Sequence, residues 1–300
     1  MSKRHNLHGS LIIELLVVCS LVALLLPFLV VALLRMQERH LLIKTYQDQQ
    51  VIKAAIDAHF QAQWSRLRPA SCLIDESLFL IIESGMSPPL RLATRTIDKE
   101  SDWLRAVDYG LCRGTVRVNG NPLDTSLSCH WKAGDSVRFS SCESYFPGQI
   151  LSVSAQHSRI ELIGGELVED AIGQSGIIES QDEFYWYISE GKGGQNAFWR
   201  TPRESGNSLE LWSGIERLSV FPLLDDNLDG RVDALDAGYG QFSLAKVRGL
   251  WVEYQYRLHD CKSERDTQLA QDYRSMRGET WRYFSPCQGV GNQIIVLKGL

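Results

Sequence analysis

Gly9-Ser-Leu-Ile-Ile-Glu14-Leu-Leu-Val-Val-Cys-Ser-Leu-Val-Ala-Leu-Leu-Leu-Pro-Phe-Leu-Val-Val-Ala-Leu-Leu34 is apolar over the length a helix needs to cross a bilayer, ~20 residues. Its only charge is the carboxylate of Glu14, and the polar leader ahead of it carries Lys3 and Arg4. A secretory signal peptide puts its small-residue cleavage site after the apolar core. Here the small residue, Gly9, comes before the core, so processing at Gly9 leaves the apolar helix on the mature chain. A carboxylate in a membrane helix costs roughly 2.5–3.5 kcal/mol at the centre and less towards the interface, which marks Glu14 as functional.

The helical text does not stop at Leu34. From Gln37 to Trp64 there is no Gly or Pro, and Ile52, Ile56 and Phe60 recur four residues apart, with Ala55 and Trp64 on the same side. This predicts one long helix, apolar in its first half and amphipathic in its second, kinked at Pro27 and ended by Pro69. The expected division is a leader over 1–9, a membrane or filament-core helix over 10–34, an amphipathic continuation over 35–68 and a β-rich domain over 69–300.

Residues 69–122 give little signal; Leu78–Ile82 reads as a short helix or a buried strand, and Thr115–Val118 as a strand running into Asn119-Gly120. From about residue 135 the chain is strand-like. Ser136–Phe139, Gln149–Ala155, Arg159–Ile163, Glu183–Ser189, Ala197–Arg200, Ser208–Trp212, Arg217–Phe221, Val247–Arg257, Trp281–Phe284 and Gln293–Leu297 are rich in β-branched and aromatic residues between turn formers. Residues 260–279 read as an exposed loop or short helix. A long helix followed by antiparallel strands predicts an α+β fold in which the helix stripe packs on a sheet face.

Composition is ordinary for a globular chain: 300 residues, 44% hydrophobic, net charge −5. The mild acidity gives no basic stripe of the kind nucleic acids require, so no nucleic-acid contact is expected. Of seven cysteines, Cys19 lies in the apolar helix; Cys72, Cys112, Cys129, Cys142, Cys261 and Cys287 lie beyond it. An even set in an exported domain predicts disulfides, and nearest neighbours in sequence suggest 72 with 112, 129 with 142 and 261 with 287. Lys3 and Arg4 favour a cytoplasmic N-terminus, and paired cysteines favour a periplasmic C-terminal domain. No G-x-S-x-G, H-E-x-x-H or Walker spacing occurs, and the histidines are scattered singly, so no catalytic activity is expected.

The sharpest motif beyond the N-terminus is Asp225-Asp-Asn227-Leu-Asp229-Gly230-Arg231-Val-Asp233-Ala-Leu-Asp236. It sets oxygen ligands at the first, third and fifth loop positions, glycine at the sixth, the Arg231 carbonyl at the seventh, and Asp233 and Asp236 at the ninth and twelfth. That is calcium-loop spacing, with Asp for the usual terminal Glu. Strand-like flanks place it between strands, and Ca2+ is the expected ion, in a structural role.

The leader ending in Gly9, the apolar run and Glu14 at the fifth position after the glycine together resemble the type IV prepilin signature. Further along, Gly134-Asp135-Ser-Val-Arg-Phe-Ser-Ser-Cys142, Tyr185-Trp-Tyr-Ile188, Leu211-Trp-Ser-Gly-Ile-Glu-Arg-Leu218, the 225–233 loop and Val247-Arg-Gly-Leu-Trp-Val-Glu-Tyr254 resemble PilW-family minor pilins. The resemblance implies cleavage after Gly9 by a prepilin peptidase and N-methylation of Ser10, which stands where Phe or Met is usual. It implies that Glu14 meets a freed α-amino group and sets the register between subunits in a helical filament. It also implies a place in the tip or initiation complex that primes a type IV pilus. The implied partners are the other minor pilins, the major pilin and the inner-membrane assembly platform. The runner-up is a minor pseudopilin of type II secretion. A third reading is an anchored periplasmic calcium-binding or adhesin domain that never polymerises.

Overall fold

In a computed structural model of the chain, residues 8–70, 77–127, 129–154, 156–259, 261 and 269–297 are described, with helix side chains described from residue 13. One helix, α1, runs from His8 to Trp64 and continues through Pro27. The single-helix expectation therefore stands. The chain divides into two compact units, Met1–Val51 and Ile52–Leu300.

In the first unit the described residues are all helical, and their large apolar side chains face outward, from Ile13 to Tyr46. Two hydroxyls inside this stretch are spent on the helix itself: Ser20 Oγ donates to the Val17 carbonyl at 2.9 Å and Thr45 Oγ1 to that of Leu41 at 2.9 Å. For Ser20, that back-bonding hides a polar atom within the apolar run.

The second unit holds the strands. In chain order they are β1 (Phe79–Ser84), β2 (Asp102–Asp108), β3 (Arg113–Arg117), β4 (Leu123–Thr125), β5 (Ser136–Ser140) and β6 (Tyr145–Val153). Next come β7 (Ser158–Leu162), β8 (Ser175–Ser180), β9 (Asp182–Glu190), β10 (Asn196–Pro202), β11 (Leu209–Ser213) and β12 (Ile215–Leu224). The last are β13 (Ala234–Leu235), β14 (Gly240–Ser243), β15 (Val247–Arg257), β16 (Leu269–Arg274), β17 (Thr280–Ser285) and β18 (Gln288–Val296). A single helical turn, α2, spans Glu166–Glu169.

They form a sheet in the order β11-β10-β9-β2-β1-β14, a second in the order β13-β12-β15-β18, a third in the order β3-β8-β5-β6-β7-β4, and the hairpin β16-β17. The α+β layout is as expected. The first two sheets share a core with the end of α1. Ile56, Phe60, Trp64 and Leu67 are buried with Leu104, Trp186 and Phe198 of the first sheet and Val220, Val252 and Tyr254 of the second. The Phe60 ring lies 4.9 Å from that of Trp64, 4.9 Å from Phe198 and 5.3 Å from Tyr254. The four-residue spacing read from the sequence is thus the buried stripe, each large side chain contributing roughly 1.5–3 kcal/mol. The third sheet has its own core, built on Phe139, Ile160, Ile178 and Trp131.

Three expectations change. Within 260–279, residues 269–274 form β16, paired with β17 from Leu269↔Ser285 to Arg274↔Thr280. Most of β16 is exposed on both faces, so the two-residue alternation that betrays a strand is missing. The 78–82 ambiguity resolves to strand β1, between β2 and β14. Cys112 pairs with Cys129, Cα atoms 5.9 Å apart, in place of the expected 72–112 and 129–142 pairs. The chain turns back through β3 and β4 between them, so spatial neighbours are not nearest neighbours in sequence. Cys261 pairs with Cys287, Cα atoms 5.4 Å apart. Cys142 is disulfide-bonded, and Cys72 lies outside the described residues.

Candidate functional site

Two places carry the chemistry read from the sequence. The first is the start of α1. Leu and Ala favour helix, and in an apolar medium a helix is the one single-segment structure that satisfies its own backbone, so the run stays helical through its Val residues and Pro27. Gly9 and Ser10 lie in its first turns, their side chains outside the described set. Glu14 is exposed, bracketed by Ile13 at 65%, Leu15 at 68% and Leu16 at 65% exposure. The most apolar window of the helix has a mean hydropathy of 3.0 and none of it is buried in the protein, so α1 is long and apolar enough to cross a membrane.

The second place is the acidic loop, which lies between strands but follows β12 into β13, whose Ala234 and Leu235 fall inside it and pair back on Leu224 and Leu223, and not directly into β15. Leu228 (φ 62°) and Gly230 (φ 92°) take the left-handed conformation that lets so short a loop reverse twice. The side-chain oxygens face backbone N–H groups. Asp225 accepts from Asp229 at 3.1 Å and Gly230 at 2.9 Å, Asn227 from Asp229 at 2.9 Å, Asp229 from Arg231 at 2.8 Å and Asp233 from Asp226 at 2.9 Å. Asp236 accepts from Gly238 at 2.7 Å. Asp225 is fully buried and takes an ion pair from Arg248 at 2.5 Å. Burial works to raise its carboxyl, but the hydrogen bonds from Arg248 and Gly230 outweigh that and hold it below the usual carboxylate range. Arg68, just beyond α1, is held below its usual value by burial and by the nearby Arg248, while Asp225 acts the other way.

The donors are hard oxygens of the kind Ca2+ prefers. Their arrangement is that of a loop closed on its own backbone and on arginine. Among the described residues, no group of three or more His, Cys, Asp or Glu side chains is set to hold a metal ion.

Sequence reading missed a set of buried charges that fix the sheets and the β16-β17 hairpin. Asp102, 2% exposed at the start of β2, accepts from Arg277 Nη1 at 2.5 Å, the Val220 N–H at 2.7 Å and the Tyr239 hydroxyl at 3.1 Å. Burial pushes its carboxyl up to about 6, against the pull of Arg277. The Arg277 guanidinium, from the hairpin turn, also lies over Tyr239 at 4.0 Å and Phe221 at 4.6 Å. Glu253, fully buried on β15, accepts from Tyr273 at 2.9 Å, Ser275 at 2.7 Å and Trp251 at 3.1 Å. Asp108 takes Arg66 at 2.7 Å, and Glu179 takes the Ala70 N–H at 3.0 Å; burial raises both carboxyls. Apart from Trp251, two residues from Glu253, these partners are distant in sequence, so no local motif announces the sites.

His59 is set in the helix–sheet packing, 5.7 Å from the Trp212 ring, and burial followed by Arg200 holds it below its usual value. No protein-family model matches the chain, and comparison with curated proteins and with solved structures found no match.

Proposed function

We propose that the chain is a minor pilin of a type IV pilus, cleaved after Gly9 by a prepilin peptidase and acting in the tip or initiation complex that primes assembly. The observation that supports this is the exposed apolar helix with a single carboxylate, Glu14, five residues past Gly9. Among the described residues the apolar side chains from Ile13 to Leu34 are exposed, and such a helix needs lipid before assembly and neighbouring helices after it. In an apolar bundle the Glu14 carboxylate is stabilised by the α-amino group that cleavage releases, provided the attraction exceeds the desolvation cost. Membrane insertion with a cytoplasmic leader, and a periplasmic domain stapled by disulfides, complete the proposal.

The experiment pairs Glu14→Ala with deletion of the chain. Normal membrane insertion of Glu14→Ala with loss of the subunit from sheared filaments supports the proposal; undiminished incorporation overturns it. Loss of surface pili on deletion supports a pilus role, whereas exported enzymes trapped in the periplasm make the chain a pseudopilin.

We propose Ca2+ as a structural ion of the 225–236 loop, on the spacing of its oxygens and the left-handed residues at its centre. Ca2+ binding there requires Asp225 to exchange its Arg248 contact for the ion.

A further inference from the structure

The apolar run of α1 matches the thickness of a bilayer. From Leu15 to Leu34 there are 20 residues without a charge, bounded by Glu14 and Arg35. Those two lie 21 positions apart. At 1.5 Å per residue the separation is about 31 Å along a helix, against a hydrocarbon core of about 30 Å. α1 runs unbroken through both ends of this stretch. A membrane that takes up the whole run therefore meets Glu14 at one boundary and Arg35 at the other.

Beyond that second boundary the helix presents Arg39. It is four residues from Arg35, so the two share a face, and it stands about 6 Å further along the axis, inside a headgroup layer roughly 5–8 Å deep. Both side chains are exposed, and among the described residues neither guanidinium has an ion-pair partner. Glu38 in the same turn is exposed as well, so with His40 neutral the turn keeps a net positive charge. Leu33 and Leu34, just inside the boundary, are exposed apolar side chains along which the arginine stems lie while their heads reach outward. A guanidinium matches the oxygens of a phosphate with two parallel hydrogen bonds.

We propose that Arg35 and Arg39 bind the phosphates of anionic phospholipids on the membrane face away from the leader, and so set the depth at which α1 stands. A free phosphate ion offers the same oxygens but nothing for Leu33 and Leu34; a lipid supplies both. A zwitterionic headgroup carries its own cation beside the phosphate, which competes with the guanidinium, so phosphatidylglycerol is favoured over phosphatidylcholine. The inference rests on the membrane-spanning part of the function proposed above and not on filament assembly.

In the test the full chain in detergent is titrated with phosphatidylglycerol, phosphatidylcholine or inorganic phosphate, and the adducts are counted by native mass spectrometry. Carbonate extraction of membranes that contain the chain shows separately whether it is inserted. Phosphatidylglycerol should bind more tightly than phosphatidylcholine. Its affinity should fall about fivefold for each arginine replaced, in Arg35→Gln and again in Arg35→Gln with Arg39→Gln. Lys3 and Arg4 of the leader stay in every variant, so the loss belongs to the two arginines. An inserted chain that binds both lipids equally, that binds inorganic phosphate as tightly as phosphatidylglycerol, or that loses nothing in the double variant overturns this proposal alone. A chain that carbonate extracts overturns the membrane-spanning reading and this proposal with it.

Discussion

Replacing Arg277 with alanine tests the buried charges most directly. Arg277 and Asp102 form a pair with side chains 9% and 2% exposed, and the pair ties the β16-β17 turn to the start of β2. Removing one member of a buried pair strands the other charge and typically costs about 3–5 kcal/mol. Here the loss must depend on pH. Folding raises the Asp102 carboxyl from 3.8 to about 6, so its own contribution to stability is full below the unfolded value and is lost as pH rises through about 6. At pH 7.5 the carboxylate is ionised and depends on Arg277. At pH 5 it is largely protonated, and Arg277→Ala forfeits mainly the stacking on Phe221 and Tyr239 and the hydrogen bonds to the Ala237 and Val220 carbonyls. Urea denaturation of the full chain in detergent, followed by tryptophan fluorescence, should show a loss of ~3 kcal/mol at pH 7.5 and a loss smaller by about 1 kcal/mol or more at pH 5. The double variant Asp102→Asn with Arg277→Met removes both charges and should be more stable than Arg277→Ala alone. Equal losses at the two pH values, or a double variant no better than the single, refute the reasoning.

Phe60→Ala removes a ring packed among Trp64, Phe198 and Tyr254 and should cost about 3–5 kcal/mol in the same assay, whereas serine at the exposed Ala62 on the same helix should cost little. Addition of Ca2+ should raise the midpoint of thermal unfolding and EDTA should reverse it, both effects vanishing in Asp225→Ala with Asp229→Ala; no shift with Ca2+ refutes the ion. Non-reducing peptide mapping should recover 112–129 and 261–287 linked peptides. Replacing both Cys112 and Cys129 with serine should cost ~3 kcal/mol, the closure entropy of a loop with a sequence separation of 17; recovery of a 72–112 peptide refutes the pairing.

What the sequence made legible is what repeats locally. The helix is written in an unbroken apolar run and a four-residue stripe, and β9 and β15 in dense aromatic and β-branched text. The 225–236 loop is legible by spacing alone, but not the guanidinium of Arg248 that the fold brings to Asp225. Strand β2 escaped notice because it begins and ends on aspartates, Asp102 and Asp108, whose burial makes sense only with Arg277 and Arg66 in place. The β16-β17 hairpin escaped because its first strand is wet on both faces, and its attachment joins Arg277, in a segment that looks polar and exposed, to Glu253, a lone carboxylate in the aromatic text of β15. Tertiary partners of charged residues leave no period to read.

The first unit sets a different problem, since its described apolar side chains are exposed. Burying a leucine- or valine-sized side chain is worth roughly 1.5–3 kcal/mol, so the exposed surface from Ile13 to Tyr46 represents on the order of tens of kcal/mol left in water. Lipid and a bundle of like helices satisfy that surface equally well, because acyl chains are as apolar as leucine. On the proposed function, hydrophobicity alone therefore cannot move the helix from a membrane into a filament. A group whose energy differs between the two media is required, and within 9–34 the sequence offers one charged candidate. In lipid Glu14 bears the penalty of depth. In the proposed bundle of cleaved subunits it would have a cation fixed by the same processing step that exposes the new N-terminus. On that reasoning Glu14→Gln, which keeps shape and hydrogen bonding, should insert in the membrane as well as the parent chain and yet fall out of filaments. A Gln variant that assembles normally makes charge irrelevant and leaves the carboxylate without a role in assembly.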